Sequence, residues 1–184
     1  MHDPLQFESI RVWDRFVRAF HWALVSCVLA NLLLLEEGDP PHRWAGYIAT
    51  ALVLARIVWG FVGSRHARFA DFFPTPARVA EHWRLLREGQ DDPHPGHNPF
   101  GALMMLALIG LILGLGSTGY LMGTDAYWGE EWLEELHGAL ANTLTACVGL
   151  HVLGALVMSR RSRINLVRAM VTGVKARPVR GDSR

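Results

Sequence analysis

Only two cysteines occur in the 184 residues, and there is no Cys-x-x-Cys-His run. A disulfide scaffold, a thiolate zinc cluster and covalent c-type cofactor attachment are thereby excluded. Charge is scarce too: Asp, Glu, Lys and Arg make up 19% of the chain, against about 25% in soluble domains. A formal net charge of +1 excludes a strongly basic nucleic-acid binder and an acidic disordered chain. Internal repeats and low-complexity tracts are absent, as are the matched, broken apolar segments of a transporter. What the chain has in quantity is apolar residues, 51% of it, together with nine histidines. So many imidazoles in so apolar a sequence need a reason.

Runs free of Asp, Glu, Lys and Arg extend from Ala19 to Leu35, from Trp44 to Ser64 with Arg56 as the one interruption, from Asn98 to Thr124, and from Leu136 to Ser159. About 20 apolar residues cross a bilayer as a helix. The expected fold is therefore all-α, an integral membrane four-helix bundle forming one domain, with crossings near 17–36, 42–63, 98–122 and 136–159. The first run ends in Leu32 to Leu35 followed by Glu36 and Glu37. With no small-x-small cleavage site there, it reads as a retained helix and not as a signal peptide. Between the second and third crossings, residues 74–88 open on Pro74-Thr75-Pro76 and mix Val79, His82, Trp83, Leu85 and Leu86 with charges, which suits an in-plane surface helix. Asn98-Pro99 is a cap and first-turn pair for the third crossing.

Sixteen of the eighteen Lys and Arg fall in the N-terminal segment, the 65–97 loop and the C-terminal tail. The other two loops are acidic, with Glu36, Glu37 and Asp39 in one and Asp125, Glu130, Glu131, Glu134 and Glu135 in the other. Basic loops stay in the cytoplasm. Both termini are thus expected inside a bacterial cytoplasmic (inner) membrane, with membrane lipid around the bundle.

Four histidines fall in or at the edge of the crossings: His21 near the inner end of the first, His42 at the outer start of the second, His137 at the outer start of the fourth, and His151 fourteen residues along that same helix. Fourteen residues rise about 21 Å and turn to within roughly 40° of four full turns. His137 and His151 therefore share a stripe at two depths, the outer level with His42 and the inner nearest His21. Arg56 follows His42 by the same interval and lies at the inner depth. A lone Arg in hydrocarbon costs at least about 2.5 kcal/mol and needs an anion, and no crossing contains Asp or Glu. Two haem b groups satisfy the pattern: each iron takes one imidazole above and one below, and a propionate gives Arg56 its anion. Filling both axial positions favours electron transfer over oxygen chemistry. Glycines at 46, 60, 63, 110, 114, 116, 119, 138, 149 and 154 permit close approach of backbone to ligand or neighbour, and the third crossing, without histidine, serves as a wall.

Several stretches support a wider reading: Val12-Trp13-Asp14-Arg15-Phe16 leading to Phe20-His21-Trp22; His42-Arg43-Trp44-Ala45-Gly46-Tyr47 with Arg56, Trp59, Gly60 and Gly63; Gly96-His97-Asn98-Pro99; His137 with His151; and Asn165 through Gly173. Together they resemble the bacterial four-helix di-haem cytochromes b of the b-561 type, which include the cytochrome b subunits of nickel-iron hydrogenases. The resemblance covers essentially the whole chain. It implies haem ligation by His21, His42, His137 and His151, and electron exchange between the membrane quinone pool and a redox partner. An alternative is a stand-alone superoxide- or quinol-oxidising oxidoreductase on the same haems. A non-haem metal transporter using the histidines as ligands is the remote one.

Other residues carry two readings each. Arg56 either pairs a propionate or snorkels inward. His97 either lines a quinone or proton-uptake site or is simply a turn residue. The outer acidic cluster either docks a c-type cytochrome or other redox protein, or is what the inside-positive bias leaves behind. Gly110-x-x-x-Gly114 marks either a homodimer face or packing within the bundle, and Asn31 is either close to the outer haem or polar glue between helices. Cys27 and Cys147 read as small buried hydrophobes, and His2, His66, His82 and His94 as surface residues.

Overall fold

The computed structural model describes residues 6–90 and 96–179; His2 and His94 lie outside them. A strand, β1 (Gln6–Arg11), leads to α1 (Arg15–Leu33), and α2 (Pro40–Val62) follows an acidic loop. A 3-10 turn (Arg65–Ala67) and the one-turn α3 (Phe69–Phe72) precede α4 (Pro76–Arg87). Then come α5 (Pro99–Met122), α6 (Glu131–Ser162), α7 (Leu166–Thr172) and β2 (Val174–Val179). Proline opens α2, α4 and α5, where its missing N–H costs nothing. Side-chain oxygens of Asp14, Asn98 and Asn165 accept orphan backbone N–H groups at the starts of α1, α5 and α7.

α1, α2, α5 and α6 are long and apolar enough to cross a membrane, and the chain is a multi-pass, all-α helical bundle. α6 begins five residues before the apolar run, because Glu131 and Glu134 favour a helix N-terminus. The long helices pack neighbour to neighbour in the order α1, α2, α5, α6. Its central core takes one or two residues from each helix: Val28, Ala49 and Val53, Ile112, and Leu144. Leu144 lies seven residues from both His137 and His151, so this core occupies the level between them. Exposed Trp44, Tyr47, Tyr120, Trp128 and Trp132 mark the acidic end, and exposed Trp22, Phe73 and Trp83 the basic end, as aromatic belts at two membrane surfaces do.

At the basic end the two termini are tied together. β1 and β2 pair antiparallel with Arg11 opposite Val174 and Gln6 opposite Val179. Gly173 at φ 84° turns the chain from α7 into β2, and its carbonyl accepts the N–H groups of Val12 and Trp13 at 2.9 and 3.1 Å. An added Cβ there would stand 2.6 Å from the Trp13 carbonyl oxygen. Arg18 donates to the Val171 carbonyl, and Arg161 to that of Leu86 at 2.6 Å.

Two surface assignments are corrected. His82 is buried, at 2% exposure, with its ring edge-on to Phe100, because α4 turns that face toward α5 and leaves Trp83 outside. His66 is half-buried and its Nδ1 lies 3.0 Å from the Asp71 carboxylate.

Candidate functional site

The histidines of the crossings meet in two pairs. The ring centroids of His42 and His137 are 6.4 Å apart with planes inclined at 60°. Those of His21 and His151 are 6.4 Å apart at 56°. Imidazoles bound one on either side of a metal at about 2.0–2.1 Å per bond, with each bonding nitrogen about 1.1 Å from its ring centre, place their centroids about 6.3 Å apart. Both pairs have the centroid spacing of two imidazoles that share one metal.

Backbone packing agrees. α6 lies along α5 but approaches the α1 and α2 backbones only marginally, and the histidine pairs bridge the gap. His21, His42 and His137 are half-buried and His151 is exposed. Buried polar atoms without a hydrogen-bond partner sit at both levels: His42 Nδ1 and Asn31 Oδ1 toward the acidic end, Arg56 Nη1 toward the basic end. Buried polar groups are ordinarily satisfied, so these atoms suit a polar cofactor. Among the described residues no group of three or more His, Cys, Asp or Glu could hold a bare metal ion, which leaves paired imidazoles as the donor set.

Arg56 is 98% buried (2% exposure). Nη2 donates to the Ala67 carbonyl at 3.0 Å, and the guanidinium lies 5.5 Å from the centre of the Phe69 ring. Half of the group is therefore anchored to the turn after α2, and Nη1 remains for an anion. Arg56 feels the negative charge of Asp14, a residue the sequence offered only as part of the Val12–Phe16 stretch. Asp14 caps Val17 N at 2.8 Å and accepts Trp59 Nε1 at 3.0 Å and Ser64 Oγ at 2.5 Å. Burial by itself would raise its pKa, but the hydrogen bonds from Ser64, Val17 and Trp59 outweigh it and hold the carboxyl below its usual range. An Asp placed just before an apolar run is an N-cap signature.

Thr118 on α5 was also missed. It is buried, and its Oγ1 lies 2.8 Å from His137 Nδ1. Counting depth would have found it: Thr118 is four residues from the acidic end of α5, and His137 six from that end of α6.

The remaining sequence candidates separate cleanly. His97 packs between Trp13 and Phe72, at 4.6 and 4.9 Å between ring centres, and Lys175 reaches over Trp13 to the Gly96 carbonyl. The Gly-His-Asn-Pro turn is thus held by both chain ends. Gly114 abuts Leu140 of α6, so it packs within the bundle, whereas Gly110, Gly138, Gly149 and Gly154 face open space. Cys27 and Cys147 are free, half-buried thiols.

Comparison with known proteins places these features in a family. Residues 12–173 match the family model described as prokaryotic cytochrome b561. A probable Ni/Fe-hydrogenase B-type cytochrome subunit from Azotobacter vinelandii is 28% identical over 106 residues, covering 53% of this chain and 44% of the relative. One from Rhizobium leguminosarum bv. viciae is 24% identical over 166 residues, covering 73% and 68%. The chain thus spans less than half the length of the Azotobacter vinelandii relative. No solved structure matches it.

Proposed function

Because the chain belongs to the prokaryotic cytochrome b561 family, we propose that it carries electrons across a membrane on two b haems, one held by His42 and His137 and the other by His21 and His151. The observation that carries this reading is the equal 6.4 Å separation of the two histidine pairs. Haem held by these imidazole pairs would supply one-electron Fe(III)/Fe(II) chemistry, and with an imidazole pair for each iron that chemistry would favour electron transfer.

The chain's own residues do the rest. The four imidazoles bind and orient, and Arg56 Nη1 pairs a propionate at the basic level. Val28, Ala49, Val53, Ile112 and Leu144 close the level between the pairs to water and ions. Fourteen residues along α6 put the two levels about 21 Å apart. No Asp or Glu stands within the apolar runs, so protons move with quinone chemistry at a membrane surface and not through the bundle.

The basic end, with both termini, faces the cytoplasm of a bacterium. Electrons are exchanged with the quinone pool and with a redox protein, and the relatives' names support a redox-enzyme partner. The acidic end, with Glu130, Glu131, Glu134 and Glu135 beside exposed Trp128 and Trp132, suits a basic surface such as that of a c-type cytochrome.

The test is a difference spectrum of the purified chain in lipid, before and after addition of a quinol. Growth of b-type absorbance is expected. A haem-loaded protein that dithionite reduces and quinol does not would reject quinone exchange, and a chain without b-type absorbance would reject the whole reading.

A further inference from the structure

A threonine hydroxyl has one proton to give and two lone pairs to accept with. Thr118 Oγ1 lies 2.9 Å from the Gly114 carbonyl oxygen and 3.2 Å from that of Leu115, both one turn back in α5. Carbonyl oxygens cannot donate, so when the hydroxyl proton points to either of them, as is common for Thr within a helix, Oγ1 faces His137 as an acceptor. The 2.8 Å contact with His137 Nδ1 is then a hydrogen bond only if that nitrogen carries the hydrogen. In this arrangement His137 is the Nδ1–H tautomer with its lone pair on Nε2, the form that ligation through Nε2 requires.

The neighbouring residues make room for this contact. A Cβ on Gly119 would stand 3.4 Å from His137 Cε1, and one on Gly114 would stand 3.2 Å from Leu140 Cδ1. α5 is reduced to glycine on both sides of Thr118 where α6 comes against it, so the hydroxyl reaches the imidazole. Nothing comparable occurs at the other three imidazoles: among the described residues, no side-chain hydrogen bond engages His21, His42 or His151, and His42 Nδ1 is buried without a partner.

We infer that Thr118 is a positioning residue for the acidic-side haem, fixing the tautomer and ring plane of His137 and setting the potential of that haem. The inference rests on the assignment of His137 as a ligand. An acceptor on the far nitrogen makes a ligating imidazole more basic and orients it, an effect typically worth about 10- to 100-fold in metal affinity. The back-bond to Gly114 polarises the hydroxyl and strengthens its acceptance. A more basic imidazole favours the ferric iron, so Thr118 holds the acidic-side potential down. The wall helix, which has no histidine, thereby controls one haem and not the other.

The experiment is a redox titration of the haem-loaded full chain, with low-spin EPR of the two haems, for wild type, Thr118→Val and Thr118→Ser. Val keeps the shape and removes the acceptor, while Ser keeps the acceptor and removes the methyl. The expected result is an upward shift of the acidic-side potential and an altered EPR signal in Thr118→Val, wild-type values in Thr118→Ser, and an unmoved basic-side haem. Loss of the acidic-side haem from Thr118→Val alone also supports the assignment. An unshifted Thr118→Val, equal effects of Val and Ser, or loss of haem from both variants would overturn it. If Thr118→Val does not assemble, 15N-histidine-labelled wild type reports the tautomer directly: an exchange-protected Nδ1 proton on His137 supports the inference and a bare Nδ1 overturns it. A wild-type chain without b-type absorbance would instead reject the underlying reading.

Discussion

The carboxylate of Asp14 accepts the indole N–H of Trp59 at 3.0 Å, so the residue that caps α1 also holds the last turn of α2. His21 follows Asp14 by seven residues and Arg56 precedes Trp59 by three. The junction therefore ties the helix that carries His21 to the helix that carries Arg56.

Asp14→Ala is expected to lower stability by about 1–2 kcal/mol, from the lost cap and the stranded indole N–H. The carboxyl's pKa is depressed in the folded state. Its contribution is thus complete above the usual carboxylate pKa and is lost as pH falls through the folded value. Thermal unfolding in detergent as a function of pH checks this: below about pH 4 the wild-type curve should fall toward that of Asp14→Asn, and the two should stay separated near neutrality.

Arg56 is a buried cation fourteen residues along α2 from His42, at the level of the basic-side pair, and a cation near a haem favours the ferrous iron. Arg56→Leu is expected to lower the basic-side midpoint potential and leave the acidic-side one in place. Its loss also strands the Ala67 carbonyl, at a cost of about 1–3 kcal/mol. Potentiometric titration would resolve the two proposed haems as separate components; equal shifts in both would assign Arg56 to general packing.

Gly173→Ala tests the clasp between the chain ends. The left-handed conformation costs a non-glycine residue about 1–2 kcal/mol, and the Cβ would also meet the Trp13 carbonyl. A lower melting temperature with an unchanged haem spectrum is expected, measured by following unfolding and absorbance on one sample.

Replacing Glu130, Glu131, Glu134 and Glu135 together by Gln is expected to slow oxidation of the reduced protein by a basic c-type cytochrome by about tenfold or more at low ionic strength. The difference should vanish at high salt, where charge steering is screened. Stopped-flow mixing over a salt series measures it, and a salt-independent rate in both proteins would remove the acidic end as the docking surface.

Apolar runs and the charges that bound them made the four long helices legible, and the fourteen-residue interval made legible which histidines stand level. Contacts whose partners are remote in sequence left no local signal. β1 and β2 are six residues each and more than 160 apart in the chain, with no turn between them to announce a hairpin. His82, a surface residue by sequence, is buried because the turn of α4 sets it against Phe100. Thr118 carries no motif at all; its meaning comes from the depth it shares with His137.

The most direct measurement is the haem b content per chain of wild type, His42→Ala and His21→Ala, taken with a potentiometric titration of each. The account predicts two haems in the wild type and one in each variant. The haem lost should be the acidic-side one from His42→Ala and the basic-side one from His21→Ala, with the remaining haem titrating as a single component. A wild type that binds one haem, or variants that both retain two, would contradict it.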